Sequence, residues 1–228
     1  MNQEEVRQMD AFMLECMDDS VHDPLHSYRV LNYALQIAIT EDCDMDVVIA
    51  SALLHDIGRA AEKKNPALCH AEVGSEMART FLDIHGYSRE KADHIADCIL
   101  THRFRKNRKP QTIEAKILFD ADKLDLTGAA GTARAILFGG QIEEPLYILG
   151  EDLLPTVGLA TDAPSLFREY HRKLQVLCGK FYTARATEIG LEQQKTMDAY
   201  FERLFFEVNQ NHRVGKEILE KVVSERHS

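Results

Sequence analysis

The chain has no run of 18 or more apolar residues, and a bilayer-spanning helix needs about 20, so no transmembrane segment is expected. Its opening residues, Met-Asn-Gln-Glu-Glu, lack the basic-then-apolar pattern of a secretory leader; the expected setting is the cytoplasm. Positive charge is in deficit: 27 Lys and Arg stand against 37 Asp and Glu, for a net charge of −10. Such a balance disfavours nonspecific attraction to phosphate backbones, so neither a stable nucleic-acid partner nor a membrane partner is expected. Cysteines at C-x-x-C spacing are missing too. Cys16, Cys43, Cys69, Cys98 and Cys178 are scattered and odd in number. Most fall on apolar helical faces, which reads as buried free thiols rather than a disulfide framework or a catalytic thiol. There is no G-x-x-x-x-G-K phosphate loop, no internal repeat and no convincing β-alternation.

What remains is one helix after another. Val6, Met9, Phe12, Met13 and Cys16 recur at helical spacing within residues 3–18. Asp23-Pro24 supplies an N-cap and a first-turn proline for a helix to about Thr40, with His26 in its first turn. Asp44 caps a helix that is apolar nearly all round and should be central and buried. Further helices are predicted over about 70–84, ending at His85-Gly86, over 89–101 with Ser88 as cap, and from Thr112 to Leu126. Residues 128–138 are rich in small side chains and broken by Gly139-Gly140; residues 141–162, with Pro145 and Pro155, read as an irregular excursion. Two long helices, about 164–178 and 184–208, precede a shorter one to about 224. The expectation is an all-α single domain: a metal-site core over about 20–140 and a helical cap over about 163–228. The apolar long helices also offer a surface for a homodimer.

Three segments carry chemistry. Leu53-Leu54-His55-Asp56-Ile57-Gly58 sets an imidazole beside a carboxylate at the end of an apolar run. Adjacent helical residues point about 100° apart, so both reach one ion only if the helix stops there, and Gly58 is a candidate for that stop. Asp120, Asp122 and Asp125 put three carboxylates into six residues beside the apolar Ile117-Leu118-Phe119. Asp122 and Asp125 share a helix face, whereas Asp120 points elsewhere. Buried carboxylates need a positive partner, either a salt-bridge network with Lys123 and Arg29 or a divalent cation. His26 is the third piece.

In that order, His26, then His55-Asp56, then Asp122, the chain resembles the HD-domain metal-dependent phosphohydrolases. The resemblance covers about residues 22–127 and implies a compact multi-helix bundle with a C-terminal helical extension. It implies His26, His55, Asp56 and Asp122 as metal ligands. Asp120-Ala-Asp-Lys-Leu-Asp-Leu-Thr-Gly-Ala-Ala-Gly-Thr-Ala-Arg134, with His171-Arg-Lys-Leu174 and Glu202-Arg-Leu204, is similar to a bacterial and archaeal branch. That branch includes pyrophosphatases acting on deoxynucleoside triphosphates. Two imidazoles and two carboxylates suit Mn²⁺, Co²⁺, Fe²⁺, Ni²⁺ or Mg²⁺. His70 and His102 resemble positions that some branches use for a second ion bridged by Asp56. The simpler expectation is one ion, with His70 capping a helix and His102 hydrogen-bonding a substrate phosphate. His85, His94, His171, His212 and His227 have no metal-spaced partners.

The implied activity is hydrolysis of a small phosphorylated substrate, a nucleotide by the branch resemblance. A divalent ion would supply Lewis acidity and activate water, and cations must then offset charge on the phosphoryl oxygens. Lys123, Arg29, Arg59, Arg103 and Arg105 are candidates, the last two in the basic loop Arg103–Pro110. Asp125, one turn past Asp122, can orient the attacking water or a ligand histidine. The same residues would serve a monophosphatase, a phosphodiesterase or a dinucleoside polyphosphate hydrolase. A noncatalytic sensor with a structural metal is the other class.

Overall fold

The computed structural model describes residues 1–17, 24–103, 108–159 and 163–225. The fold is all-α, with one two-residue antiparallel pair, β1 (Ile148–Leu149) and β2 (Pro155–Thr156), inside the expected irregular stretch. The chain forms two compact units, one of Met1–Asp125 with Phe181–Ile189, the other of Leu126–Lys180 with Gly190–Ser228. Among the described residues no helix is long and apolar enough to cross a membrane.

The first unit holds α1 (Gln3–Cys16), α2 (Pro24–Ala38), α3 (Met45–Leu54), α4 (Arg59–Lys64), α5 (His70–Ile84), α6 (Arg89–Thr101) and α7 (Ile113–Leu124). Helix α3 is buried on nearly every side, from Val47 and Val48 to Leu53 and Leu54, as a helix without a polar face must be. Around it α2 packs on α3 and α7, and α5 packs on α6. Met9, Val30, Ile37, Leu82, Ile95 and Ile117 join the same core. The starts of the helices are set locally. Asp44 accepts from the amides of Asp46 and Val47; Ser88 accepts from Lys91 N–H and Thr112 from Ala115 N–H. Each cap satisfies donors that an α-helix leaves open. Asp23, the expected cap of α2, lies outside the described residues.

Asp120 points away from Asp122 and Asp125, and its task is structural. Its buried carboxylate accepts from Tyr182 N–H at 3.0 Å and from the amide and hydroxyl of Thr183 at 2.8 and 2.7 Å. It thereby fixes the residues just before α10 (Ala184–Glu225) onto α7.

The second unit corrects several expectations. Helix α8 (Gly128–Gln141) runs straight through Gly139-Gly140; a glycine costs a helix only about 1 kcal/mol against alanine, too little to end it. In place of a long helix over 164–178 there are one turn, α9 (Leu166–Glu169), a π-helical turn (Tyr170–Leu174) and a 3₁₀ turn (Leu177–Lys180). Helix α10 is continuous for 42 residues rather than broken near 208. The polar run Asn209-Gln-Asn-His212 weakens helical propensity without a proline to interrupt it. Leu166, Phe167, Tyr170, Leu174, Met197 and Phe201 form this unit's own core.

Candidate metal centre

Helix α3 stops at Leu54, and His55 is its C-cap. The stop is not the left-handed glycine expected of Gly58. Gly58 has φ −81 and opens α4. What the position requires is closeness: a Cβ on Gly58 would lie 2.2 Å from the carbonyl oxygen of His70 and 2.7 Å from Gly74 N. The missing side chain lets the His55–Gly58 turn and α4 press onto the first turn of α5, which brings His70 to Asp56.

Asp56 is the centre of the arrangement. It is fully buried, and among the described residues neither oxygen has a hydrogen-bond donor. Four imidazoles surround it. Oδ2 lies 3.6 Å from Nε2 of His26 and 3.5 Å from Nε2 of His55. Oδ1 lies 3.3 Å from Nε2 of His70 and 3.7 Å from Nε2 of His102. Arg59 Nε stands 3.0 Å from Oδ1, but it is not aimed along the bond, and it too lacks an acceptor; we read this as an ion pair without a hydrogen bond. His26 Nε2 also lies 3.4 Å from Oδ1 of Asp122. Two trios can therefore each hold an ion, His26–His55–Asp56 and Asp56–His70–His102.

The far side of each ring fixes its proton. His55 Nδ1 donates to the carbonyl of Ala52 at 2.8 Å, and His102 Nδ1 to that of Ile99 at 2.6 Å. His26 Nδ1 meets Asp125 Oδ2 at 2.7 Å and His70 Nδ1 meets Glu62 Oε2 at 2.6 Å. Carbonyls and ionised carboxylates only accept, so each ring carries a proton on Nδ1 and a neutral ring presents a bare Nε2 lone pair to the centre. Such outer partners are what orient metal-ligating histidines. His70 and His102 bring two of these lone pairs within 3.3 Å of each other, which is repulsive unless a cation lies between them.

The electrostatics agree. Burial outweighs the pull of Asp56 and holds His70 down at about 4; burial also lowers His55 and pushes His102 well below its ordinary value. His26 goes the other way. Burial opposes its charge, but the hydrogen bonds of Asp122 and Asp125 and the charge of Asp56 raise it to about 9. Without a metal, one proton on His26 is the local cation. The first ion bound should displace it, releasing about one proton per chain at neutral pH. Because the proton competes with the ion, apparent affinity should rise about tenfold per pH unit and level off near the His26 value of about 9. Calorimetry in buffers of different ionisation enthalpy counts the proton, and a count of zero would mean that His26 starts neutral.

The remaining expected residues are placed as follows. Arg29 binds Asp125 through two bonds, Nε to Oδ1 at 2.6 Å and Nη2 to Oδ2 at 3.1 Å, so it braces the carboxylate that orients His26. Lys123 donates to Asp122 Oδ2 at 2.7 Å and to the carbonyl of His102 at 2.8 Å, tying the end of α6 to α7. Arg103 donates to Glu62 Oε1 at 2.7 Å. Arg105 lies outside the described residues. His70 is not a cap: Cys69 occupies that position with no side-chain bond, and the His70 ring is turned inward instead. Glu62, in the unforeseen helix α4, was not among the expected residues. Its sequence signal was slight, a glutamate three residues after Arg59 in a charged stretch. Bonds from His70 and Arg103 outweigh burial and lower its carboxyl to about 2.

The chain and its fold have known relatives. Residues 25–127 match the HD domain, and this match, the His/Asp trios and a neighbour described as an HD superfamily hydrolase support a metal-dependent phosphohydrolase. It is 29% identical over 191 residues to the protein YpgQ of Bacillus subtilis, spanning 82% of this chain and 84% of that one. The crystal structure of Bacillus subtilis YpgQ in complex with ADP superposes with a TM-score of 0.69 at 28% identity, covering 89% of this chain and 97% of that one. A protein from an uncultured Thermotogales bacterium, described as a predicted HD superfamily hydrolase, superposes with a TM-score of 0.63 at 26% identity over 91% and 99% of the two chains.

Proposed function

We propose that this hydrolase acts on a nucleoside triphosphate, releasing the monophosphate and pyrophosphate, at a centre for two divalent ions that share Asp56. The observation that carries the reading is Asp56 itself: a buried carboxylate without a hydrogen bond among the described residues, with a pair of imidazole nitrogens facing each oxygen. A bare buried charge is costly, and a cation on each side would offset it. His26, His55, Asp56 and Asp122 would hold one ion; Asp56, His70 and His102 would hold the other. This goes past the one-ion expectation, because His70 and His102 turn their lone pairs inward. Manganese, cobalt, iron, nickel and magnesium all suit the donors.

When bound, the ions would supply Lewis acidity and make water a better nucleophile. The chain's own part is placement. Asp125, braced by Arg29, keeps the proton of His26 on Nδ1. Lys123 holds Asp122 by one oxygen and leaves the other toward His26. Arg59, beside Asp56, and Arg103, beside Glu62, are the cations that would turn to the phosphoryl oxygens, with Arg105 two residues further along the sequence. The nucleotide reading is supported by the ADP bound in the YpgQ structure and by the branch resemblance of the Asp120–Arg134 segment.

The net reaction adds water across the bond between the α-phosphorus and the bridging oxygen, and pyrophosphate departs with the electron pair. Deoxynucleoside triphosphate hydrolysed in ¹⁸O-water with Mn²⁺ is expected to give labelled monophosphate and unlabelled pyrophosphate. Orthophosphate as the first product would overturn the reading. The second trio, Asp56–His70–His102, also favours a dinucleoside polyphosphate or phosphodiester substrate, since two ions clamp both oxygens of an in-line displacement. In that case the triphosphate would stay intact and the diester would be cleaved.

A further inference from the structure

The geometry points to Glu62 as the positioning residue that makes the second ion site, by keeping the proton of the His70 ring on Nδ1; we infer that without its negative charge the ring turns an N–H instead of a lone pair toward His102 and the second ion is lost. This rests on the two-ion reading above.

Two neutral imidazoles whose Nε2 atoms lie 3.3 Å apart have two ways of coexisting. Either a proton on one Nε2 bridges them, or both nitrogens are bare and a cation stands near both. His102 has no choice, because the carbonyl of Ile99 at 2.6 Å keeps its proton on Nδ1. Among the described residues His70 Nδ1 has no backbone carbonyl partner. Its Nδ1 faces Glu62 Oε2 at 2.6 Å and the Nη1 of Arg103 at 2.9 Å. The arginine nitrogen is a donor. If it alone faced the ring, Nδ1 would accept and the proton would move to Nε2, directly between His70 and His102. The carboxylate decides the matter, since it takes the ring proton on Oε2 and the Arg103 proton on Oε1 at 2.7 Å. Arg59 Nη1, 3.5 Å from Oε2, adds a second positive neighbour. Glu62 therefore does for His70 what Asp125, braced by Arg29, does for His26: each ring has a carboxylate behind it and an arginine behind the carboxylate. The two halves of the centre are built on one plan, and the second half depends on α4.

The test replaces charge while keeping shape. Glu62→Gln can offer its amide N–H to Nδ1 and let the proton move; Glu62→Asp keeps a carboxylate. Titration of metal-free protein with Mn²⁺ by calorimetry, with electron paramagnetic resonance for exchange coupling between paired ions, reads occupancy without reference to turnover. Wild type should take two equivalents and show a coupled signal. Glu62→Gln should weaken the second equivalent by about 100-fold, the upper range for removing an outer partner of a ligand. It should show an isolated-ion signal and leave the first equivalent unchanged. Glu62→Asp should keep the second ion within about tenfold of wild type; a merely structural role for Glu62 would not separate the two variants this way. Two coupled ions in Glu62→Gln at wild-type affinity would overturn the inference alone. A single equivalent in wild type would overturn the two-ion reading and the inference with it.

Discussion

Asp56→Asn is expected to lower turnover by about 10⁴-fold while leaving the metal-free protein at least as heat-stable as wild type. The two halves of that expectation have one cause. The carboxylate lies in the interior with no hydrogen bond among the described residues, so in metal-free protein the nearby charges of Arg59 and His26 do little more than offset the cost of burying it. Asparagine has nearly the same shape, carries no charge, and can donate its amide protons to the bare Nε2 atoms of the neutral His55, His70 or His102 rings, which otherwise face an acceptor. Catalysis fares differently. On the proposed reading, two ions that would share this carboxylate would lose their anionic bridge, and with it Lewis acidity that is worth several kcal/mol; about 5.5 kcal/mol corresponds to 10⁴ in rate. The stabilisation gained on adding Mn²⁺ should shrink in parallel. Steady-state kinetics with melting curves, with and without metal, check both halves. Turnover within tenfold of wild type would remove Asp56 from the centre, and a metal-free variant that melts well below wild type would mean that its charge is already satisfied by the fold.

Much of this layout is legible in the chain because it is written in local chemistry. Asp44, Ser88 and Thr112 stand where caps are needed, and the helices begin there. An apolar face that runs all round α3 can only be buried, and His55-Asp56 at its end is carried into the interior with it. The acidic cluster divides as its spacing requires, with Asp122 and Asp125 turned toward His26 and Asp120 away from it. What is not legible arises from contacts between distant segments. Nothing around residue 62 announces a partner at residue 70, because their meeting depends on how closely α4 can lie on α5. The inward turn of His70 is hidden for the same reason: a histidine opening a helix looks like any capped end until the carboxylate behind it is seen. The continuity of α8 and α10 is hidden because weak helix formers resemble breaks, whereas packing and the surrounding turns outweigh a loss of about 1 kcal/mol per residue.

That closeness of α4 to α5 makes Gly58→Ala the most damaging small substitution in the first unit. The added carbon would stand 2.2 Å from the His70 carbonyl oxygen and 2.7 Å from Gly74 N, and both are backbone atoms in a helix with no flexible end to give way. Relief requires moving the first turn of α5, which carries His70, or the turn that carries Asp56. Overpacking of this kind costs about 3 kcal/mol or more, roughly 6–12 °C in melting temperature for a chain of this size. The same shift should pull His70 from His102 and weaken the second Mn²⁺ equivalent before the first. Gly140→Ala is the matched control. It lies within α8, a Cβ there meets nothing within 4 Å, and alanine should raise stability by about 0.5–1 kcal/mol through helix propensity. Opposite signs for one chemical change at two glycines would separate close approach from propensity. A Gly58→Ala protein melting within about 2 °C of wild type and binding both ions normally would mean that the approach of α4 to α5 is looser than these distances state.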